Sequence, residues 1–301
     1  MEEIKLKKRL AAGEHMVMDG GMGSEIEHRG ISTTLPLWSA EALLTHPDVV
    51  RQIHEDYIRA GAEIIITDTF RTTRRAFSKK NIADNAATAT ALACKLAQRA
   101  RQTVQSNVEV YVAGSIAPLE ECYSPELTPP QREIEVEHDE LVAQLKQGEV
   151  DFILLETMIT SREALSGVRA AQENDLPFAV SFCCNDKFEL LGGEPLQEVM
   201  RKIEQFEPIF IGVNCVSIDI ATKTVKKLRE LTDLPISVYA QGDGGTDEDL
   251  GWKIVEEKPI KKAYLQAAEQ WLADGAQIIG GCCGTTPEYI KDLRQLLDLS
   301  S

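Results

Sequence analysis

The chain contains no long apolar run, and acidic side chains outnumber basic ones. No stretch among its 301 residues approaches the ~18 apolar residues of a membrane span, and residues 1–10 are charged where a signal segment would be apolar. Lys and Arg number 32 against 48 Asp and Glu, a formal net charge of −16. Because nucleic acids and anionic lipid surfaces bind clustered positive charge, we expect no nucleic-acid partner, no membrane and a cytoplasmic location.

The glycine-rich loops that bind nucleotide phosphates are also missing from the sequence. Residues 20–23, Gly-Gly-Met-Gly, lack the third glycine of the dinucleotide fingerprint, and no Gly-x-x-x-x-Gly-Lys-Ser/Thr occurs. An open doubly wound sheet normally carries such a loop after an early strand, since the nucleotide binds at its switch point. The absence therefore disfavours that fold.

The cysteines do not form the pattern of a disulfide framework, because they are seven, an odd number, and are scattered through a long chain. Free thiols in a reducing compartment are core residues, metal ligands or nucleophiles. Cys94 lies on an apolar helical face, and Cys183 and Cys184 end an apolar run, so we expect these three to be buried packing residues. Cys122 follows two acidic residues and is predicted to be an inert surface thiol.

Short runs rich in Val and Ile alternate with longer stretches of helical period, a pattern typical of repeated β-α units and a parallel sheet. Eight such units predict one α/β domain, residues 1–301, folded as a closed (β/α)8 barrel, the TIM barrel. Residues 115–140 and 241–259 are predicted to be loops that cover a pocket at its C-terminal face. The predicted strands lie near residues 15–19, 63–67, 109–113, 151–156, 178–182, 209–214, 235–240 and 276–280. The predicted helices are 48–60, 82–102, 162–174, 196–205, 218–231 and 260–274.

Three further cysteines come directly after predicted strands. Cys215 follows the sixth strand, and the adjacent Cys282 and Cys283 follow the eighth, within Gly-Gly-Cys-Cys-Gly at residues 280–284. Side chains at the ends of these two strands can meet over the mouth of a barrel. Three thiolates make an incomplete tetrahedral zinc site, whose remaining position is left to a substrate atom. Packing residues or a vicinal disulfide are the alternative interpretation of the adjacent pair.

The chain resembles the homocysteine S-methyltransferases over nearly its whole length. This zinc-dependent family includes the betaine-using and S-methylmethionine-using enzymes and the homocysteine module of cobalamin-dependent methionine synthase. The most specific matches are Gly-Val-Asn-Cys at residues 212–215 and Gly-Gly-Cys-Cys-Gly at residues 280–284. The other matching segments are residues 18–23, 37–41, 57–62, 67–70 and 156–157.

The resemblance implies a zinc site at the C-terminal face in which Cys215, Cys282 and Cys283 hold Zn²⁺ and the homocysteine sulfur is the fourth ligand. It also implies that Asp19 and Glu156 contact the substrate ammonium group. The remaining residues that it places at the substrate are Gly20, Gly21, Thr69 and Trp38. Because only the thiolate of a thiol with a pKa near ~8.5 is strongly nucleophilic, zinc would activate homocysteine for attack on the methyl carbon of an onium donor, with no other catalytic side chain.

Three of these residues also have simpler interpretations. Asp19 could be a turn residue or a helix N-cap, given the glycine after it. Glu156 could cap the helix that begins after Thr160. Trp38 could be a core aromatic residue instead of a cation–π surface for a methylated cation.

We therefore expect a thiol methyltransferase of EC class 2.1.1, acting in methionine biosynthesis on small-molecule substrates. The expected donor is a sulfonium, S-methylmethionine or S-adenosylmethionine, because Thr157 and Arg71 stand where betaine-using relatives carry aromatic residues, and a cationic Arg71 would repel a quaternary ammonium. Betaine, a corrinoid protein as donor, or another thiol acceptor are the alternatives. A non-catalytic zinc-binding or redox-sensing protein is the alternative of another class. No heptad segment or extended arm indicates an oligomer.

Overall fold

A computed structural model describes residues 5–247, 251–253 and 260–300. Its first seven strands are β1 (Met16–Val17), β2 (Ile64–Ile66), β3 (Tyr111–Ile116), β4 (Phe152–Met158), β5 (Phe178–Phe182), β6 (Ile211–Asn214) and β7 (Ile236–Tyr239). An antiparallel hairpin, β8 (Gly245–Asp247) and β9 (Gly251–Lys253), precedes the last strand, β10 (Ala276–Ile279).

Eight of these strands form one parallel sheet that closes into a ring, which confirms the predicted (β/α)8 barrel. The order is β1-β10-β7-β6-β5-β4-β3-β2, so each strand lies beside its neighbour in the sequence except where the hairpin intervenes. A parallel bridge between Met18 and Ile64 joins β1 to β2, and the Asp19 amide donates to the Ile64 carbonyl at 2.9 Å. The C-terminal ends of all eight strands therefore meet at one mouth.

The six predicted helices are present, with ends shifted by a few residues. The structure adds several helices that the sequence pattern did not predict, among them α7, which begins inside the segment predicted to be a loop. The helices are α1 (Lys5–Ala11), α2 (Met22–His28), α3 (Ala40–Thr45), α4 (Pro47–Ala60), α5 (Arg74–Ser78), α6 (Ala86–Thr103), α7 (Gln131–Gln147), α8 (Ser161–Glu173), α9 (Leu196–Glu204), α10 (Ile218–Leu231), α11 (Lys261–Ala273) and α12 (Pro287–Ser300). Within the described ranges, no helix has the length and apolar character needed to cross a membrane.

The prediction of a continuous loop over residues 115–140 was wrong in its second half. Helix α7 starts at Gln131, directly after Pro130, and runs past the predicted end of the loop. Proline is tolerated at and just before the start of a helix because the first N–H groups have no intrahelical partner. The prolines of this segment thus mark only the part that precedes α7.

Alternate residues along the barrel strands enter two different cores. On β4, Phe152 and Leu154 pack inside the barrel, whereas Ile153 and Leu155 pack between the strands and the helices. Leu6 and Leu10 of α1 also belong to the inner core. Since that core includes residues at the starts of the strands, α1 covers the N-terminal end of the barrel, and the C-terminal end is left for function.

Two histidines are fully buried in the helical layer, and their ring nitrogens have no hydrogen-bond partner among the described residues. Burial lowers the pKa of His54 on α4 and of His138 on α7 from 6.5 to about 4. The unfolded chain therefore binds protons at a higher pH than the folded one. The contribution of each histidine to stability is complete above pH 6.5 and is lost as the pH falls toward 4.

Replacing both residues, as His54→Leu with His138→Leu, is expected to weaken the acid sensitivity of folding. Between pH 7 and pH 5 the wild type should lose roughly 2 kcal/mol of unfolding free energy for each of the two histidines. The double variant, which lacks both, should not show this loss. Urea unfolding at a series of pH values measures this difference. His15→Leu, at an exposed position, is the control and should retain the wild-type slope. Equal slopes in the wild type and the double variant would contradict the prediction.

Candidate metal centre and substrate cavity

The three cysteines predicted at strand ends lie together at the C-terminal mouth of the barrel. The Sγ atoms of Cys215 and Cys282 are 2.6 Å apart, and those of Cys215, Cys282 and Cys283 all lie within 4.8 Å of one another. Two sulfurs bound at about 2.3 Å to one tetrahedral zinc ion are about 3.8 Å apart. The observed 2.6 Å between Cys215 and Cys282 is shorter than this spacing, so it is the convergence of three thiols, with one side open to the cavity, that fits a single soft metal ion.

Cys215 is positioned by the residues at the ends of β4 and β6. Its backbone is in the left-handed region (φ 54°), as is that of Thr157 (φ 57°). The Thr157 amide donates to Asn214 Oδ1 at 2.9 Å, and Asn214 Nδ2 donates to Thr157 Oγ1 at 2.8 Å. Residues other than glycine adopt this backbone conformation at a cost in free energy, and they keep it where surrounding hydrogen bonds hold them in place. The Asn-Cys pair of the sequence thus turns the chain so that the thiol faces the mouth.

The loop after β10 presents the adjacent pair of thiols. The Cys282 amide donates to Ala240 at 2.9 Å, and the Cys283 carbonyl accepts from Gly242 at 2.7 Å, so the loop is tied to the end of β7. Gly284 has φ 79°, and a Cβ there would lie 2.1 Å from the carbonyl oxygen of Asp243. Only glycine fits this close approach and this backbone angle.

The three thiols change one another's pKa values. Hydrogen bonds from Cys282 and Cys283 lower the pKa of the Cys215 thiol well below its usual value. Their hydrogen bonding to Cys215 raises the pKa of Cys282 and of Cys283. An electron-rich thiol cluster of this kind is the ligand set that zinc prefers.

Two buried carboxyl groups lie near the thiols. Asp19 Oδ2 accepts from the Ile66 amide at 2.8 Å, while its Oδ1 is buried without a partner among the described residues. Glu156 accepts from the Ser115 hydroxyl. Burial raises the pKa of Asp19 well above its usual value, and the nearby Glu156 raises it further. Burial also raises the pKa of Glu156 to about 8, with a further contribution from Cys215. A cation beside these groups would relieve both effects.

The helix-cap interpretations of these carboxyl groups do not match the structure. Helix α8 is capped by Thr160, whose hydroxyl accepts from the Glu163 amide, so Glu156 is not its cap. Helix α2 follows Gly21 and has no side-chain cap, and Asp19 instead binds the backbone of β2. Neither side chain therefore caps a helix.

The thiols open into a cavity of about 850 Å³, part of which is open to solvent. Its wall includes four of the predicted substrate residues: Gly20, Gly21, Trp38 and Glu156. Asp19 and Thr69 are not part of the wall, and the Thr69 hydroxyl donates to the Ser115 carbonyl at 2.7 Å. Trp38 packs edge-on against Phe70, with ring centroids 5.8 Å apart, and faces the cavity.

Three aromatic wall residues were not predicted from the sequence, although they lie in or beside the segments predicted to cover the pocket. Trp252 of β9 is buried against the thiol cluster and donates from Nε1 to Asp243. The Tyr123 hydroxyl donates to the Cys215 carbonyl at 3.4 Å, and Tyr239 ends β7. The signal was available, because aromatic residues are rare in these glycine- and proline-rich segments. Residues 248–250 and 254–259 of the second predicted loop lie outside the described residues.

Cys122 is the clearest error of the sequence analysis, because the predicted surface thiol is only 7% exposed and lines the cavity. Its acidic neighbours suggested exposure. In the structure Glu121 accepts from Arg71, and Glu120 accepts from Arg75 and Lys79, so the loop lies against the barrel instead of extending into solvent. Cys94, Cys183 and Cys184 are buried in the outer core, as predicted.

A (β/α)8 barrel with three convergent thiols and buried carboxyl groups at its mouth defines a barrel enzyme with a thiol-rich candidate metal centre. The sequence profile of the family described as homocysteine S-methyltransferase matches residues 16–297. The chain belongs to this family of methyltransferases.

Named relatives agree with this assignment. The homocysteine S-methyltransferase of Escherichia coli is 29% identical, with 96% of this chain and 97% of the relative covered. The homocysteine S-methyltransferase YbgG of Bacillus subtilis is 28% identical, with 92% and 93% covered. The metallated form of the homocysteine methyltransferase MmuM from E. coli superposes with a TM-score of 0.84 at 26% identity, with 97% and 99% covered.

Proposed function

We propose that this chain, as one domain over residues 1–301, transfers a methyl group from S-methylmethionine to L-homocysteine with the help of zinc and so forms methionine. The observation that carries the proposal is the convergence of three thiols at a cavity whose wall includes a buried carboxyl group. Cys215, Cys282 and Cys283 would hold the zinc ion. The open side of the cluster leaves room for one substrate sulfur.

The thiols and the carboxyl groups around the cavity have separate roles in the proposed reaction. Zinc in a three-thiolate site supplies the chemistry that keeps a substrate thiol deprotonated at neutral pH. Glu156 binds the homocysteine ammonium and so directs the sulfur end of the amino acid toward the cysteines, and Asp19, which interacts electrostatically with Glu156, adds negative charge nearby. The new S–C bond forms as the C–S bond of the sulfonium breaks, and the electron pair of the broken bond stays on the leaving sulfur. No side chain has to move a proton in this step.

The aromatic residues of the cavity wall suit a methylated cation. Trp38, Phe70 and Trp252 line it, and aromatic faces attract onium groups. Their apolar surface also excludes water. The rate enhancement then comes from holding the attacking sulfur, the methyl carbon and the leaving sulfur in line. Aromatic faces and a cavity of this size suit a small onium donor that enters whole, and so favour such a donor over methylcobalamin.

Methionine formation by reduced, zinc-loaded protein tests the proposal. L-Homocysteine is supplied with S-methylmethionine, S-adenosylmethionine, betaine or methylcobalamin, each carrying an isotopically labelled methyl group. We expect rapid label transfer from S-methylmethionine, in which both the acceptor and the donor become methionine, and none after chelation of the metal. Absence of transfer from all four donors would refute the proposed reaction. Transfer from betaine alone would refute the proposed donor.

A further inference from the structure

Two buried side chains of opposite charge follow β2 and line the cavity. Asp68 is 3% exposed and Arg71 is 7% exposed. Asp68 Oδ1 accepts from the Ser39 hydroxyl at 2.5 Å, whereas Oδ2 has no partner among the described residues. Arg71 Nε is likewise buried without a partner there. Buried polar atoms without protein partners cost stability, and both of these belong to cavity-lining residues, where a bound molecule can satisfy them.

The contacts of Arg71 orient its guanidinium without saturating it. One terminal nitrogen donates to the Glu120 carbonyl at 2.6 Å, and the other reaches Glu121 at a long 3.3 Å. The guanidinium carbon lies 5.6 Å from the centre of the Phe70 ring. The Nε donor is left over, and a planar guanidinium is well suited to a carboxylate.

Glu121 is the third charged group on this part of the wall. Its side chain is 34% exposed, so it is less committed to Arg71 than a buried ion pair would be. Apart from Glu156, which is assigned to the acceptor, the wall offers two carboxylates, Asp68 and Glu121, and one guanidinium. The complementary ligand carries two cationic groups and one carboxylate. An α-amino acid with a sulfonium in its side chain has this composition, whereas betaine has only one cationic group.

We propose that Arg71 binds the α-carboxylate of the methyl donor, that Glu121 faces its ammonium group, and that Asp68 faces its sulfonium beside Trp38 and Phe70. The site thereby selects amino-acid sulfonium donors. This inference rests on the proposed function and assigns Arg71 an attractive role, beyond the repulsion of quaternary ammonium expected from the sequence. The competing explanation is structural, because Arg71 also tethers the loop through the Glu120 carbonyl.

The test pairs a protein variant with a change in the donor. S-Methylmethionine and its α-carboxamide, which lacks the carboxylate, are compared on wild type, Arg71→Gln and Arg71→Lys, by steady-state kinetics and by calorimetric binding to the zinc-loaded protein. Arg71→Gln is expected to weaken binding and raise the KM of S-methylmethionine by about 10- to 100-fold. In Arg71→Gln the KM of the carboxamide, the KM of homocysteine and the zinc content should all stay within about twofold of the wild-type values. Arg71→Lys should recover part of the lost affinity for S-methylmethionine.

A second pair tests the ammonium subsite. Glu121→Gln should weaken the binding of S-methylmethionine. The binding of dimethylsulfoniopropionate, which lacks the ammonium group, should stay unchanged. The matched control for Arg71→Gln is Arg74→Gln. Arg74 lies three residues after Arg71 and has a half-exposed side chain that pairs with exposed Asp84 at 3.4 Å. Arg74→Gln should behave as wild type with every donor.

The outcomes separate this inference from the proposed reaction. Equal losses for S-methylmethionine and its carboxamide in Arg71→Gln would show that Arg71 only holds the loop, and would overturn the inference. Wild-type binding that is absent, or that is insensitive to Arg71→Gln, would overturn it as well. Arg71-dependent binding of S-methylmethionine without any methionine formation would support the inference while refuting the reaction.

Discussion

Replacing Cys215, Cys282 or Cys283 with alanine, one at a time, is expected to abolish both zinc binding and methyl transfer. The three Sγ atoms lie within 4.8 Å of one another, and a site reduced to two thiols no longer satisfies the coordination that zinc requires. Loss of the metal removes several kcal/mol of activation from the substrate thiol, so turnover should fall by at least about 1,000-fold. Zinc content by mass spectrometry and turnover are measured on the same preparation.

Two buried cysteines outside the cluster provide the controls for this experiment. Cys94→Ala and Cys184→Ala remove thiols that are 1% exposed in the outer core. Each variant should lose about 1 kcal/mol of stability and retain full zinc content and activity. A cluster variant that keeps its zinc, or that turns over normally without it, would contradict the assignment of the ligands.

Glu156→Gln is expected to produce the second large effect, a loss of acceptor binding with zinc retained. Glu156 lines the cavity, and burial makes its charge dependent on a cationic partner. Removing one partner of a buried charge pair costs about 2–5 kcal/mol, which corresponds to between about 30-fold and a few thousand-fold in kcat/KM for homocysteine. Asp19→Asn should act in the same direction but less strongly, because Asp19 does not line the cavity.

An acceptor without the ammonium group shows whether the effect has the proposed cause. The wild type should discriminate strongly against 4-mercaptobutanoate, which is homocysteine without its amino group. Glu156→Gln should lose most of this discrimination, mainly through the KM of homocysteine. The amide can still accept from the Ser115 hydroxyl, so the fold should be retained. Unchanged discrimination in the variant would mean that Glu156 does not bind the ammonium group.

Much of the candidate site could be predicted because it lies at strand ends. Short apolar runs end at recognisable residues, and the C-terminal ends of parallel strands meet at one mouth. Cys215, Cys282, Cys283 and Glu156 could therefore be placed together without knowledge of any contact. The short apolar runs and the residues that end them carried this information, since each run is local in the sequence.

The covering of the mouth could not be predicted in the same way. The loop before α7 lies over the cavity because cations after β2 pair with acidic residues more than 40 positions away, as Arg75 does with Glu120 and with Glu137. In sequence, these acidic residues resemble a solvated surface. The burial of Cys122 and the orientation of Arg71 depend on the same distant pairs.

Local patterns in the chain were thus sufficient for the barrel, the thiol cluster and the family, because hydrophobic period and turn residues specify strands and their ends. The shape and charge of the donor side of the cavity depend instead on the folded chain. Asp68, Arg71 and Glu121 line the cavity from two different loops, and Trp252 approaches from the β8–β9 hairpin. Long-range ion pairs and close packing set these positions, and neither leaves a local signal in the sequence.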